Sequence, residues 1–354
     1  MKIALLSTPW IALPPKGYGG IELVVSNLAE GLVKRNHDVT LFATGDSTSS
    51  AKLKFYYPKA LGNDLELKKN SYNLLLHIDS FLQFVNLERF DIVHIHVGQI
   101  SMFLIDSFHS PFVHTIHGAF YSHLIDTSND IEQKIKTMIR FKHQPIISIS
   151  NNQRIGLPDL NYVSTVYNGI NPSYYHLHKE HENYLCWIGR ITKNKGLDTA
   201  IRVAKRLNMK LKISGVIDKG DQNYFDTVIK PSIDGNIELI GQIFNQKVKN
   251  AFLGKAIACL FPIVWDEPFG LVMVEAMASG TPVIAFNKGS VPEVIEDGRS
   301  GFVVETENQM VDAVKKINSI DRSYCHEYAV KKFNIDKMVD GYIDTYTKLI
   351  KKQI

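Results

Sequence analysis

Short apolar runs alternate with helical segments along the whole chain, and this alternation limits the fold more than any other feature. In the first half, runs such as Lys2–Ser7, Val39–Ala43 and Ile92–Val97 are separated by amphipathic stretches such as Gly20–Arg35. Strands this apolar are typical of a parallel sheet that helices cover on both faces. The sequence therefore predicts a doubly wound α/β domain over residues 1–170.

The same alternation begins again after a loop at residues 168–172. Strand-like runs from Tyr184 to Val304 are each followed by a helical segment, which makes five or six βα units. The pattern predicts a second doubly wound domain over residues 171–335, with a last helix from Asp336. Residues 46–70 are polar and mixed, and we expect loops there. Ligands of such sheets bind beyond the carboxyl ends of the strands, and we expect two such domains to face one another across a cleft.

Composition and charge narrow the class of protein. The net charge of the 354 residues is only +4, so we expect no nucleic-acid partner. No apolar run approaches the roughly 20 residues that a membrane span needs. A weak peripheral contact with a membrane surface stays open, because five lysines occur between Lys52 and Lys69, although acidic residues interrupt them. The three cysteines are few and widely spaced, which fits a reducing cytoplasm.

The segment Trp265–Gly280 has the pattern of an anion site. A loop containing Pro268 turns through Gly270 into an apolar helix, whose first backbone N–H groups and dipole would attract a negative ligand. Glu275 interrupts the apolar helix, and a buried carboxylate is costly unless it is paired or faces a ligand. It could accept two hydrogen bonds from a ribose diol. The alternative is that Glu275 emerges at the solvent edge.

Other loops at strand ends carry groups that could bind the same ligand. Gly19 and Gly20 open a helix, where bare backbone can approach a phosphate or a sugar closely. Arg190 and Lys195 also lie between a strand end and a helix start, and their two positive charges could neutralise a diphosphate. Solvated loop charges are the alternative. Asp-x-Asp does not occur in the chain, so a metal-bridged diphosphate is not expected.

Four histidines lie on or beside two strand-like runs of the first half. The spacing of His94, His96, His114 and His117 invites a zinc interpretation, but no cysteine or carboxylate completes a ligand set. We therefore expect no metal, and packing or hydrogen bonding for most of these side chains. His117 differs because it follows the run Phe112–Ile116, where a polar side chain would face a ligand.

Together these segments resemble the retaining glycosyltransferases of the GT-B fold, family four. The shared pattern is Glu-Pro-Phe-Gly-Leu-x3-Glu-Ala, from Glu267 to Ala276, in which two glutamates are separated by seven residues. The resemblance covers nearly the whole chain. It is supported by Gly19-Gly20, His117-Gly118, Val166 to Ile170, Gly189-Arg190, Lys195-Gly196 and Gly289 to Ile295.

The resemblance implies a role for each candidate residue. Glu275 would hold the ribose of a nucleotide-sugar donor, the backbone near Ile243 would meet the base, and Glu267 and His117 would be catalytic residues that contact the transferred sugar. The groups implied at the donor diphosphate are Arg190 and Lys195, the backbone of Phe269, Gly270 and Leu271, and Gly19 and Gly20.

The resemblance also implies the reaction. A hexose-type sugar would move, with retained anomeric configuration, from a nucleotide diphosphate sugar, with UDP favoured, to a hydroxyl of a glycan, lipid-linked or small-molecule acceptor. The first domain, with the last helix crossing back onto it, would bind the acceptor, and the second would bind the donor. We expect no cofactor, and a monomer or homodimer. The alternatives are a nucleotide-sugar 2-epimerase and a catalytically inactive nucleotide-sugar-binding protein.

Overall fold

The chain forms two compact units. The computed structural model describes residues 1–62, 67, 70–105, 110–120 and 129–351. The first unit contains residues 1–15, 19–169 and 335–354, and the second contains residues 16–18 and 170–334. Each is built on one sheet of parallel strands with flanking helices, so the predicted two-domain Rossmann-like α/β fold is confirmed.

The sheet of the first unit is parallel throughout and has the order β3-β2-β1-β4-β5-β6-β7. Its central strands are buried because helices cover both faces. Since the strands share one direction, their carboxyl ends meet at one edge of the sheet. The strands are Lys2–Leu6 (β1), Asp38–Ala43 (β2), Lys52–Phe55 (β3), Ile92–Ile95 (β4), Phe112–Thr115 (β5), Ile146–Ser148 (β6) and Tyr162–Thr165 (β7).

The edge strand β3 lies in the segment where we expected only loops, and that expectation was wrong. Its sequence, Lys-Leu-Lys-Phe, is largely exposed, and among the described strands it pairs with β2 alone. Charged side chains are common on edge strands, where they prevent pairing with another chain, so the polarity that suggested a loop is compatible with an edge. Residues 63–66 and 68–69 of the same segment, which include Lys68 and Lys69, lie outside the described residues.

Four helices of eight residues or more flank the first sheet within the described part of the chain. They are Gly20–Lys34 (α1), Ser71–Leu87 (α2), Asn129–Arg140 (α3) and, from the end of the chain, Ile335–Lys351, which is numbered α9 below. The last helix packs on α1 within the first unit. Arg35, directly after α1, forms ion pairs of 3.0 and 2.9 Å with Asp336 and Asp340.

Close packing between the first and last helices requires a glycine. A Cβ atom on Gly31 of α1 would lie 2.4 Å from Cγ2 of Val339, which is fully buried. Valine is β-branched and has little freedom to rotate away. The contact therefore fixes the distance at which the last helix can pack.

We expect Gly31→Ala to lower the free energy of unfolding by about 1 kcal/mol, because the cost of overpacking exceeds the gain in helix propensity. Combining Gly31→Ala with Val339→Ala should remove the clash. The losses of stability in the two single variants should therefore not add up in the double variant. The matched control is Gly341→Ala in the last helix, where the new Cβ would lie 3.3 Å from Val166. Urea unfolding of the wild type, the two single variants, the double variant and the control measures these changes. A Gly31→Ala chain as stable as the control would contradict the packing argument.

The second unit has a parallel sheet with the order β10-β9-β8-β11-β12-β13. Its strands are Tyr184–Arg190 (β8), Lys210–Val216 (β9), Ile237–Gly241 (β10), Ala258–Phe261 (β11), Val283–Phe286 (β12) and Gly301–Val304 (β13). Its longer helices are Leu197–Arg206 (α4), Gln246–Gly254 (α5), Leu271–Ala278 (α6), Glu307–Lys315 (α7) and Arg322–Lys332 (α8), which precede Ile335–Lys351 (α9). The helix expected near Tyr224–Ile229 is present as an irregular helical stretch, which is α-helical over Gln222–Tyr224, π-helical over Phe225–Ile229 and 3-10 over Lys230–Ser232, where Pro231 lies. None of the helices in the described residues is both long and apolar enough to cross a membrane.

Candidate functional site

Two strand-end loops of the second unit are held against each other at the carboxyl edge of its sheet. Gly196, which ends the loop after β8, has φ +68°, and a Cβ there would lie 1.9 Å from the carbonyl oxygen of Pro262, directly after β11. The amide of Val264 donates a 3.0 Å hydrogen bond to the carbonyl of Asn194. The loop that carries Arg190 and Lys195 is thereby fixed against the loop that carries Glu267.

Lys195 and Glu267, predicted separately from two motifs, form an ion pair. The ammonium of Lys195 and the indole N–H of Trp265 both donate to Oε2 of Glu267, the latter at 2.9 Å. Lys195 also lies 4.8 Å from the centre of the Trp265 ring. Glu267 is only 9% exposed, so these two partners offset the cost of burying its carboxylate.

The backbone around Glu267 is held by a third loop. A Cβ on Gly289, whose φ is +56°, would lie 2.3 Å from the amide nitrogen of Glu267. Ser290 donates from its amide to the Glu267 carbonyl and from its hydroxyl to the Phe269 carbonyl, both at 2.9 Å. The sequence pointed to Gly289 and Ser290 only through the family resemblance.

The helix α6 begins directly after this loop. Gly270, with φ +77°, precedes Leu271, and a Cβ there would lie 2.5 Å from Cε of Met273. Phe269 is buried and packs edge-on against Phe333 at 5.7 Å. The amide of Met273 donates a 3.0 Å hydrogen bond to the carbonyl of Gly270, and the two amides before it, at Leu271 and Val272, are the ones that a helix start offers to an anionic ligand. The predicted turn and helix start are present.

Arg190 lies at the end of β8, and neighbouring groups partly compensate its positive charge. Its Nη1 donates a 3.2 Å hydrogen bond to Asp218, and its guanidinium lies 5.6 Å from the ring of Tyr18. Its Nε atom is buried without a hydrogen-bond partner in the described part of the chain. Burial opposes the charge, but Tyr18, Asp218 and Asp221 together raise the pKa of Arg190, which stays positive. Sequence reasoning missed Asp218; its position just after β9 was the available signal.

Glu275 does not emerge at the solvent edge, because it is only 4% exposed. Its Oε1 atom accepts hydrogen bonds from the Tyr175 hydroxyl at 2.7 Å and from the Lys249 ammonium at 2.6 Å. Burial, together with the neighbouring negative charge of Glu275, raises the pKa of the Tyr175 hydroxyl. Both partners were missed, since they lie 100 and 26 residues away in the sequence.

Breaking this pair should destabilise the second unit. Lys249→Met would leave the carboxylate of Glu275 buried with one donor fewer, and we expect a loss of about 2–4 kcal/mol in the free energy of unfolding. Adding Glu275→Gln should restore most of the loss, because the amide carries no charge. Thermal unfolding of the single and double variants tests this. Equal stability of the Lys249→Met chain and the wild type would show that the pair carries no such energy.

Ile243 lies in the irregular segment that follows β10, and it is partly buried beside the exposed Phe244. Its contact with a base stays a prediction.

Gly19 and Gly20 begin α1 in the first unit. A Cβ on Gly19 would lie 2.8 Å from Cβ of Pro15, whereas a Cβ on Gly20 would meet nothing within 4 Å. The neighbouring Glu22 is 5% exposed and accepts a 2.6 Å hydrogen bond from the Thr8 hydroxyl. The open space at Gly20 leaves its backbone accessible to a ligand.

The histidines of the first unit form hydrogen bonds with protein groups. Nε2 of His117 lies 2.9 Å from Nδ1 of His96, and His94 contacts the hydroxyls of Tyr346 and Thr115 at 2.6 and 2.8 Å. His114 is 3.0 Å from the amide oxygen of Gln144. No group of three or more possible metal ligands occurs among the described residues. The absence of a metal stays a prediction.

Comparison with known proteins indicates the same class of protein as the sequence motifs. Residues 18–174 match the family described as Glycosyltransferase Family 4, and residues 175–332 match Glycosyl transferases group 1. The two matches adjoin and together span most of the chain. The chain is a GT-B glycosyltransferase.

Relatives and solved structures agree over almost full length. The chain is 24% identical to an uncharacterized glycosyltransferase of Methanocaldococcus jannaschii, over 87% of this chain and 86% of the relative. Sucrose-phosphate synthase from Thermosynechococcus elongatus has a TM-score of 0.83 at 18% identity, covering 99% and 100% of the two chains. Anabaena HepE in complex with UDP and glucose has a TM-score of 0.74 at 17% identity, covering 98% and 100%. At these identities the structures show the shared fold alone.

Burial of the histidines makes the stability of this glycosyltransferase depend on pH. Burial lowers the pKa of His114 to about 4, although the contact with Gln144 opposes the shift. Below about pH 6.5 the unfolded chain therefore binds protons that the folded chain does not. The stabilisation is complete above pH 6.5 and is lost as the pH falls towards 4.

Between pH 7 and pH 5 we expect the free energy of unfolding to decrease in the wild type. The decrease should be about 2 kcal/mol smaller in His114→Gln. Glutamine keeps an amide at the position of Nε2 but has no proton to gain. Urea unfolding at the two pH values measures the difference. Parallel losses in both proteins would mean that His114 does not contribute to the pH dependence.

Proposed function

We propose that this glycosyltransferase is a retaining, metal-independent enzyme that moves a hexose from a nucleotide diphosphate sugar to a hydroxyl acceptor. The observation that carries the proposal is the arrangement of Arg190, Lys195, Glu267 and the Gly270 helix start at one edge of the second sheet. Two cations and a helix N-terminus suit a diphosphate, and the nearby carboxylate of Glu267 suits sugar hydroxyls.

The donor would bind to the second unit. Lys195 and Arg190 would neutralise the diphosphate, helped by the backbone of Phe269, Gly270 and Leu271. Glu275 would accept hydrogen bonds from the ribose diol, with Lys249 and Tyr175 holding its Oε1 atom, and Ile243 would lie beside the base. UDP is the favoured nucleotide, since HepE, which shares the fold, has been solved with UDP-glucose.

The transfer would proceed on one face of the sugar. The bond from the anomeric carbon to the diphosphate oxygen breaks, a bond to the acceptor oxygen forms, and the acceptor proton passes to the leaving diphosphate. The positive charges of Arg190 and Lys195 would stabilise the leaving group electrostatically. His117 and Glu267 would contact the transferred sugar, and Gly19 and Gly20 would approach the diphosphate. The first unit would supply the acceptor surface.

Thermal shift with UDP-, GDP- and ADP-sugars should identify the donor, because a ligand that binds only the folded chain raises Tm. We expect the largest shift with a UDP-sugar. It should be lost in Glu275→Ala and kept in Glu238→Ala, an exposed glutamate on β10. A shift of the same size in both variants would overturn the assignment of Glu275 to the ribose.

With the donor known, Arg190→Ala should lower kcat/KM by about 10²–10³-fold, as expected when a group that stabilises developing charge is removed. Arg202→Ala is the matched control, because Arg202 pairs with Asp198 and Glu307 on the surface of the same unit. The assay can use the slow release of nucleoside diphosphate from donor alone, so the acceptor need not be known. No release by the wild type would favour the inactive binding protein.

Two further measurements test the chemistry. Activity in EDTA should equal activity without it, since Asp-x-Asp is absent from the sequence. NMR of the anomeric proton in a transfer product should show retained configuration, and inversion would refute the proposed route. A 2-epimerase would instead change the donor sugar at C2 without any acceptor.

A further inference from the structure

We propose that His96 is a positioning residue for His117: it donates a hydrogen bond from Nδ1 to Nε2 of His117, so that Nδ1 of His117 carries the proton that reaches a sugar hydroxyl. The contact between His117 and the sugar rests on the proposed function. The arrangement of the two imidazoles does not, because it is a property of the first unit alone.

Neighbouring parallel strands bring the two side chains together. His96 follows β4, His117 follows β5 by two residues, and the strands pair in register. Their ring centres are 5.2 Å apart, their planes are inclined by 25°, and the Nδ1–Nε2 distance is 2.9 Å, so the rings lie end to end, as an N–H···N hydrogen bond in the ring plane requires. His96 is buried and His117 is partly exposed. One histidine therefore belongs to the interior and the other can reach a ligand.

Packing fixes the orientation of His96. Its ring centre lies 3.9 Å from that of His94 and 6.4 Å from that of Tyr342 in α9. His94 is itself held on both ring nitrogens, by Tyr346 and Thr115. The imidazole of His96 therefore has a fixed support on its inner side, and the only hydrogen-bond partner of that ring in the described part of the chain is His117.

Both imidazoles are neutral at pH 7, since burial lowers the pKa of His117 to about 4 and the pKa of His96 well below its ordinary value. A single proton then occupies the contact, and either ring could donate it. The position of that proton decides whether His117 offers a donor or an acceptor at its other nitrogen.

The unpaired nitrogen of His96 indicates the direction. Nε2 of His96 is buried and has no hydrogen-bond partner among the described residues. A proton on that atom would be a buried donor without an acceptor, and orphaned N–H groups are rarer in proteins than under-used acceptors. We therefore place the proton of His96 on Nδ1. His117 must then accept at Nε2 and carry its own proton on Nδ1.

This arrangement assigns a limited task to His117. A neutral imidazole with N–H at Nδ1 can donate to the oxygen of a sugar hydroxyl, but Nε2 is occupied and cannot accept the proton of an acceptor alcohol. His117 would thus orient the transferred sugar and would not act as a general base. That agrees with a route in which the leaving diphosphate takes the proton.

NMR of the free protein tests the tautomers directly. The protein is labelled with ¹⁵N-histidine, and long-range ¹H–¹⁵N correlations are recorded at pH 7. They should show that His117 is protonated at Nδ1 and not at Nε2. They should also show that His96 is protonated at Nδ1. Signals are assigned with His117→Leu and His96→Asn. A proton on Nε2 of His117 would overturn the inference, whatever the enzyme transfers.

Kinetics test whether His96 acts through His117. The probe is UDP-glucose, or whichever of the screened UDP-, GDP- and ADP-sugars binds, with release of nucleoside diphosphate as the readout. We expect His96→Leu to lower kcat/KM roughly tenfold, as for the loss of one aligned hydrogen bond. His96→Asn should restore most of it, because its amide nitrogen can occupy the position of Nδ1. His114→Gln, on the adjacent strand, is the matched control and should keep wild-type kcat/KM.

The double variant distinguishes positioning from a structural role. If His96 acts through His117, His96→Leu should cost nothing more in a His117→Leu background. An equal loss in both backgrounds would overturn the inference and assign His96 to packing; Tm values and the His96→Asn variant separate this from misfolding. If His117→Leu itself has no effect on kcat/KM, the proposed sugar contact fails, while the tautomers measured by NMR still decide the hydrogen bond.

Discussion

The common direction of the strands is the constraint on which the rest of the structure depends. Both sheets are parallel throughout, so in each unit every loop that follows a strand lies along one edge. Residues distant in sequence, such as Lys195 and Glu267, therefore become neighbours without any dedicated element to join them. The same rule brings His96 and His117 together in the first unit.

Charge compensation in the second unit follows from this crowding. Each of the two buried glutamates is paired with a lysine, and Arg190 is paired with an aspartate. In the absence of an anion these pairs keep the cations ordered at the edge of the sheet. If a diphosphate binds as proposed, it would compete with Glu267 for Lys195, and the exchange of one anionic partner for another would keep the desolvation cost of binding small.

The sequence alone was sufficient to predict those features that depend on a local pattern of residues. Apolar runs and helical spacing predicted both sheets, and the Gly270 turn and the loop with Arg190 and Lys195 were found where motifs placed them. It was insufficient for β3, because an exposed edge strand has the composition of a loop. It also missed Tyr175 and Lys249, since a partner across the fold leaves no trace in the residues beside it. Asp218 was missed as well, although its position just after β9 was a signal. The pairing of His96 with His117 was likewise invisible, because strand order decides it.

The position of the last helix has a consequence for synthesis on the ribosome. The second unit is nearly continuous, from residue 170 to 334, whereas the first needs α9, which packs against Gly31 and carries Tyr346 to His94. Domains usually fold in the order in which they emerge. Here the unit that begins first cannot be completed until α9 has been made, so its apolar surface around Gly31 stays uncovered while the whole second unit is being synthesised. The second unit can therefore fold completely before the final helix of the first unit has been synthesised.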